Sequence, residues 1–204
     1  MLIEEQFRGL LFVLVGPGGV GKNTLMQRVL PRFDHLRQLP TATTRAARQG
    51  EQEGREHFFV NVDEFKRMLA DTELIEHEEV HPGKFYGVPR QCVEQAFLAG
   101  EDLIADIEIA GAEKVYAAYP HNTVLIFVAP PSLDDLGERM AKRGETQTGI
   151  AERLARAERE MRFKERCEHV IVNDYLEAAT DRLAAVIAGE RKARDERLLI
   201  VSHV

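Results

Sequence analysis

The stretch "LLFVLVGPGGVGKNTLMQRV", Leu10 to Val29, passes from an apolar run through glycines into residues with helical spacing. Its centre, Gly16, Pro17, Gly18, Gly19, Val20, Gly21 and Lys22, reads G-x-x-x-x-G-K. Directly after a buried strand and directly before a helix, this pattern is a phosphate loop. Glycines let the backbone curl around an anion with its N–H groups pointing inward, and the following helix turns its N-terminus to the same charge. Lys22 is placed to neutralise the β- and γ-phosphates of a nucleotide. Asn23 stands where the pattern has a Ser or Thr hydroxyl for magnesium, and Thr24 follows it. An amide oxygen is one weak contact among the waters that Mg2+ keeps. The expectation is therefore Mg2+ held mainly by nucleotide and water, with Asn23 a weak or water-mediated ligand and Thr24 on a phosphate.

Outward from the loop, apolar runs recur at 102–106, 123–129 and 169–174. They are nearly continuous rather than alternating, as strands covered on both faces are. Between and after them, 22–30, 89–99, 132–142, 150–166 and 175–193 carry apolar residues at helical spacing. Strand followed by helix, repeated, predicts an α/β fold: a three-layer core with a parallel sheet and helices on its faces. From Thr41 to Val88 the alternation breaks into charge and glycine, with "HFFVNV" the one strand candidate and "DEFKRMLA" a short helix. An inserted subdomain is expected there.

The 204 residues, 44% hydrophobic, suit one domain with subdomains in its loops. With 27 Lys and Arg against 34 Asp and Glu, the net charge of -7 argues against a nucleic-acid or acidic-membrane binder. Any phosphate ligand must then be held by locally gathered cations, and "ERKARDER" (190–197) reads as a solvated helix end. Cys92 and Cys167 stand far apart without metal-ligand spacing, which points to a reduced, intracellular chain. Leu10 to Val15 is too short to span a membrane, and the start "MLIEEQFRG" is acidic where a signal peptide is basic. A cytoplasmic location follows.

A second anion site is suggested by "TATTRAARQGEQEGREHFFV" (41–60), where Arg45 and Arg48 could clamp a phosphate between two guanidinium forks. Taken alone, such a pair is more often solvated surface. With "EFKRMLADTELIEHEEVHPGKFYGVPR", "DLIADIEIAGAEKV", "APPSLDDLGERMAKRG" and "HVIVND" following in order, the chain closely resembles guanylate kinase from about Leu10 to about Ile187. The resemblance implies a parallel-sheet core (about 8–40, 89–130 and 167–190), a GMP-binding subdomain (about 41–88) and an arginine-bearing lid (about 137–155). It implies ATP:GMP phosphotransfer, with dGMP a further acceptor. Arg45, Arg48 and Tyr86 would hold the GMP phosphate, while Thr41 and Glu76 would read the guanine, whose N1–H and 2-amino group present paired donors to a carboxylate. Asp106 would sit beside the magnesium and the GMP, and Glu108 matches an Asp more common in the family. Arg139, Arg143 and Arg153 correspond to the lid set that stabilises charge on the transferred phosphoryl. Asn173 is left open between an adenine contact and structural capping.

The chain also departs from the family pattern. His57 stands where a phosphate-touching Tyr is usual, which raises the expectation of pH-dependent affinity near its reference pKa of about 6.5. Val88 replaces a hydroxyl residue and Ala110 a Gln. The segment before Tyr86 is one residue longer than usual and the segment before Arg153 one shorter. The apolar tail "LLIVSHV" (198–204) could pack on the core or on a second subunit, so monomer and homodimer both stay open. Two rival readings are a kinase of the same fold acting on another acceptor, such as a ribose bisphosphate, and a non-catalytic interaction module. Thr41, Arg45, Arg48, Glu76 and Tyr86 speak against the first, and the intact phosphate loop against the second.

Overall fold

The computed structural model describes residues 6–201. In chain order its elements begin with β1 (Leu11–Val15), α1 (Lys22–Val29), β2 (Leu36–Gln38), β3 (Thr41–Thr43), β4 (His57–Phe59), α2 (Val62–Ala70), β5 (Leu74–His81) and β6 (Lys84–Pro89). They continue with α3 (Arg90–Ala99), β7 (Asp102–Asp106), α4 (Ile109–Ala118), β8 (Thr123–Ala129), α5 (Leu133–Lys142), α6 (Gln147–Glu160), β9 (His169–Val172) and α7 (Leu176–Val201). Three of the four runs read as buried strands are buried: every residue of β1 and β8, and the first four of β7. The fourth, β9, is a strand at the sheet edge, where only Ile171 is buried and Val170 and Val172 are exposed. They belong to a five-stranded sheet in the order β2-β7-β1-β8-β9, with β2 parallel to β7 and β8 parallel to β9. The expected α/β architecture is present, with β2 and α4 added to it.

The expectation of a single strand between Thr41 and Val88 is overturned. That segment and the residue after it supply a second, four-stranded sheet, β4-β3-β6-β5. The strand β5 reads "LIEHEEVH", polar along most of its length, so it has no continuous apolar run to announce it. Its partner β6 returns through Pro82 and Gly83, and Gly83 takes φ 75°, the left-handed conformation that tight hairpins ask of glycine.

This small sheet has two unlike faces, set by strand register. Thr41 pairs with His57, Thr43 with Tyr86 and Glu76 with Val88, which puts Thr41, His57, Tyr86 and Glu76 on one face. The other face carries Ala42, Leu74 and Phe85, packed under Phe65 of α2 with Val60, Met68 and Leu69 around it. Gly87 lies on this apolar face, where a Cβ would come within 2.7 Å of Leu74 and 3.3 Å of the Phe65 ring. Helix α2 begins where Asn61 accepts the Glu64 N–H at 2.8 Å, with Asp63 and Glu64 in its first turn.

The chain divides into two compact units, one comprising the described residues through Leu11 with His35–Ala105 and Ala110–Thr123, the other Phe12–Asp34, Asp106–Ile109 and Val124 onward. In the second unit, α5 and α6 form the helical pair where a lid was expected, and Gly137 lets them close, since a Cβ there would meet Leu154 at 3.3 Å. Helix α7 runs beyond the expected 193 and leaves Leu199 and Ile200 exposed; the last three residues of the apolar tail lie outside the described residues. Among the described residues no helix is long and apolar enough to cross a membrane.

Because Phe65 is 1% exposed and anchors the apolar side of the small sheet, Phe65→Ala should cost about 3–5 kcal/mol. Chemical denaturation of the two proteins measures that difference.

Candidate nucleotide site

The second unit carries the phosphate loop. Gly16, Gly19 and Gly21 have φ 136°, 91° and 103°, a run of left-handed turns that brings the chain from β1 into α1. Space is as restrictive as backbone angle: a Cβ on Gly16 would lie 2.3 Å from the Val128 carbonyl oxygen, and one on Gly21 would lie 2.6 Å from Asn173 Nδ2. Pro17 and Val20 are buried, and the Val20 N–H donates to the Pro17 carbonyl at 3.2 Å. Helix α1 starts at Lys22 with no side-chain cap and no acid in its first turn. Its N-terminal N–H groups are thus left to solvent or to an anion. Asn23 and Thr24 are exposed on that turn.

Lys22 folds back over the loop. Its Nζ donates to the Gly16 carbonyl at 2.7 Å and lies 3.4 Å from the Pro17 carbonyl and 3.5 Å from Asp106 Oδ1. Desolvation pushes the Asp106 carboxyl above its ordinary range; Lys22 opposes this and Glu108 adds to it. Glu108 itself points elsewhere: its carboxylate accepts from Arg156 at 2.6 Å, and Arg156 also reaches Glu160.

The three arginines expected on a lid all come to the loop. Arg139 donates through Nη2 to the Asn173 carbonyl at 2.7 Å and approaches the Val20 carbonyl at 3.5 Å. Arg143, at the end of α5, brings Nη1 to 3.7 Å from the place of a Gly19 Cβ, and Arg153 brings Nη2 to 2.9 Å from that of Gly18. Arg153 is meanwhile held by both oxygens of Glu145 at 2.7 Å. Asn173 is buried, and its Nδ2 donates to the Val20 carbonyl at 2.8 Å. This contact fastens the loop from the end of β9.

The first unit carries the other group, on the polar face of the small sheet. Arg45 spreads over Tyr86 and Phe59, with its guanidinium carbon 6.0 and 5.8 Å from the ring centroids. Its Nε donates to Tyr86 Oη at 2.9 Å, and both Nη atoms donate to Glu51 at 2.6 Å. The Arg48 side chain is exposed, while its backbone N–H donates to Glu51 at 2.7 Å. Thr41 Oγ1 and His57 Nδ1 lie 2.7 Å apart. Burial, aided by the Arg45 charge, lowers the His57 pKa below its ordinary value. The expected titration of His57 near its reference value therefore moves to more acid pH, and the ring is neutral near pH 7.

Glu76 is buried at 7% exposure, and this desolvation pushes its pKa up to about 7; Glu78 adds to the rise, while Lys114 and the Val88 N–H oppose it. A carboxylate this deep, poised between charged and neutral forms, is expensive to keep unless a ligand uses it. Val88 and Ala110 make no polar side-chain contact. Glu51 and Lys114 were not singled out in the sequence. Glu51 had one available signal, its place three residues after Arg48, where its N–H closes a turn on the Arg48 carbonyl at 3.1 Å.

A glycine loop leading into a helix, a lysine over it and arginines around it define a phosphate-loop nucleotide-binding protein of the α/β class. The family model described as guanylate kinase matches residues 8–190. A guanylate kinase of Desulfitobacterium hafniense is 42% identical over 188 residues, spanning 92% of this chain and 93% of that one. One of Bacillus subtilis is 40% identical over 190 residues, spanning 92% of each. The crystal structure of guanylate kinase from Anaplasma phagocytophilum aligns with a TM-score of 0.69 at 34% identity, covering 91% of this chain and 87% of that one. The chain belongs to the guanylate kinase family, a family of ATP:GMP phosphotransferases.

Gly21→Ala forces a side chain into a left-handed conformation and against Asn173. It should destabilise the fold by about 1–3 kcal/mol and weaken ATP binding at least tenfold, as read by denaturation and by calorimetric titration.

Proposed function

We propose that this chain transfers the γ-phosphoryl group of ATP to GMP, and to dGMP, giving ADP and the nucleoside diphosphate. The observation that carries this reading is the polar face of the small sheet, where an arginine–tyrosine pair suited to a phosphate shares a surface with a buried carboxylate suited to guanine. A GMP phosphate oxygen attacks the γ-phosphorus in line, and the bond to the bridging oxygen breaks, its electron pair leaving with ADP. The acceptor is already an anion, so no strong general base is required, and catalysis is positioning and charge stabilisation. The loop N–H groups and Lys22 hold the donor phosphates. Arg139, Arg143 and Arg153 stabilise the charge that spreads over the γ-phosphoryl oxygens. Arg45, Arg48 and Tyr86 hold the acceptor phosphate, His57 lends a neutral imidazole beside them, and Glu76 with Thr41 selects guanine.

Among the described residues no group of three or more His, Cys, Asp or Glu side chains could hold a metal ion. One carboxylate, Asp106, with the exposed amide of Asn23 fits Mg2+ that arrives on the nucleotide and keeps most of its water. Bound there, Mg2+ would neutralise charge on the transferred phosphates. A cytoplasmic monomer or homodimer whose partners are nucleotides and not nucleic acid accords with the acidic surface.

A coupled assay with ATP, Mg2+ and a panel of GMP, dGMP, AMP, UMP and ribose phosphates tests the activity. Turnover with the guanine nucleotides is expected, together with a loss of about 10² or more in kcat/KM for Lys22→Ala. A folded chain that binds ATP but turns over no guanine nucleotide would refute the reading, and a preference for ribose phosphates would favour its rival.

The pH profile gives a second check. Guanine needs the ionised carboxylate, and Glu76 titrates at about 7 in the free protein. The ionised fraction falls as pH drops through that value, so KM for GMP should rise about tenfold from pH 8 to pH 6. In Glu76→Gln the KM should be higher throughout and should lose this part of the pH dependence. The variant also serves as the control for protonation of the GMP phosphate itself.

A further inference from the structure

Arg45 is more fully engaged than a residue waiting for a phosphate needs to be. A guanidinium has five N–H groups. Here Nη1 donates to Glu51 Oε2 at 2.6 Å and to the Ala46 carbonyl at 2.9 Å, Nη2 to Glu51 Oε1 at 2.6 Å, and Nε to Tyr86 Oη at 2.9 Å. The end-on edge of the fork is thus filled by one carboxylate. The remaining Nη2–H lies on the side edge with Nε–H, the edge turned toward the Tyr86 hydroxyl. Both ends of the Arg45–Glu51 pair are shielded, at 8% and 18% side-chain exposure. The Arg48 N–H adds a third donor to the same carboxylate at 2.7 Å, and His57 Nε2 stands 4.0 Å from it. Glu51 thereby joins the backbone of Arg48 to the side chain of Arg45, the two residues read as the phosphate clamp.

We infer that Glu51 is a positioning residue for the acceptor phosphate: it grips the end of the Arg45 fork so that the side edge and the Tyr86 hydroxyl converge on one phosphate. This rests on the clamp reading given under Proposed function. The competing possibility is that the carboxylate merely fills the phosphate position and must be displaced. The edge it occupies decides between them, because the Arg45 edge facing Tyr86 is the one Glu51 leaves alone. Shielding also matters. The Arg45 donors hold the Glu51 carboxyl down to about 2, so it stays ionised throughout the working pH range. A permanently charged partner fixes a guanidinium plane more firmly than an amide can.

The test compares two ligands that differ only in the phosphate. GMP and guanosine are titrated into the full-length wild-type chain and into Glu51→Gln, with thermal melting recorded for both proteins. The inference expects GMP binding to weaken about tenfold or more in the variant while guanosine binding changes less than twofold. KM for GMP should rise and KM for ATP stay put. Equal or tighter GMP binding by the variant would overturn the inference in favour of displacement. A parallel loss for GMP and guanosine would overturn it in favour of a general structural role. Should E51Q fail to fold, the same titrations on Glu51→Asp decide, since that carboxylate keeps its charge but sits one methylene short of the Arg45 fork. A wild-type chain that binds GMP no better than guanosine would overturn the clamp reading itself and this inference with it.

Discussion

The second unit is organised around a backbone bend that only glycine can make. Between β1 and α1 the chain turns through left-handed conformations at Gly16, Gly19 and Gly21 with neighbours closer than a side chain would allow. The Val128 carbonyl closes on one end of the bend and the Asn173 amide on the other. Both neighbours come from strands next in order in the sheet, β8 and the end of β9, so the loop is shaped by the sheet as much as by its own residues. Asn173 then donates to Val20 and its carbonyl accepts from Arg139, which ties α5 to the same bend. Open N–H groups at the start of α1 and the lysine above them follow from that geometry.

An acidic chain that handles anionic ligands must gather its cations without letting them repel one another. The structure does this by pairing several of them with carboxylates, while Arg139 donates to backbone carbonyls. Lys22 lies near Asp106, Arg45 is gripped by Glu51, Arg153 by Glu145 and Arg156 by Glu108. The pairings are not equivalent. The Arg153–Glu145 pair is partly exposed, whereas the Arg45–Glu51 pair is shielded from solvent. Glu76 is the reverse case, a buried acid whose desolvation the Lys114 charge does not overcome.

The core was legible because its strands are buried on both faces and therefore read as unbroken apolar runs at 10–15, 102–106 and 123–129. The hairpin of β5 and β6 was not, because one of its faces serves Glu76 and Tyr86 and stays polar, leaving a broken pattern around a Pro82–Gly83 turn. Short β2 pairs three residues with β7 and carries too little sequence to show a period. At the site, Lys22 and the loop glycines were readable from spacing alone. Arg45, Arg48, Glu76 and the lid arginines became readable only through the resemblance, since each is individually an ordinary surface charge. Glu108 matches by position, and its carboxylate accepts from Arg156.

By itself the sequence determined the phosphate loop, the α/β core around it and the family, because each depends on residues close together or on motifs in fixed order. Tertiary structure alone decided what each charged group faces. Strand register put Thr41, His57, Glu76 and Tyr86 on one face. Burial lowered the pKa of His57 and raised that of Glu76, favouring the neutral form of each. Packing turned Asn173 toward the loop and Glu51 onto Arg45. Electrostatic free energy depends on desolvation and on distances between side chains far apart in the chain, and neither is written in local spacing.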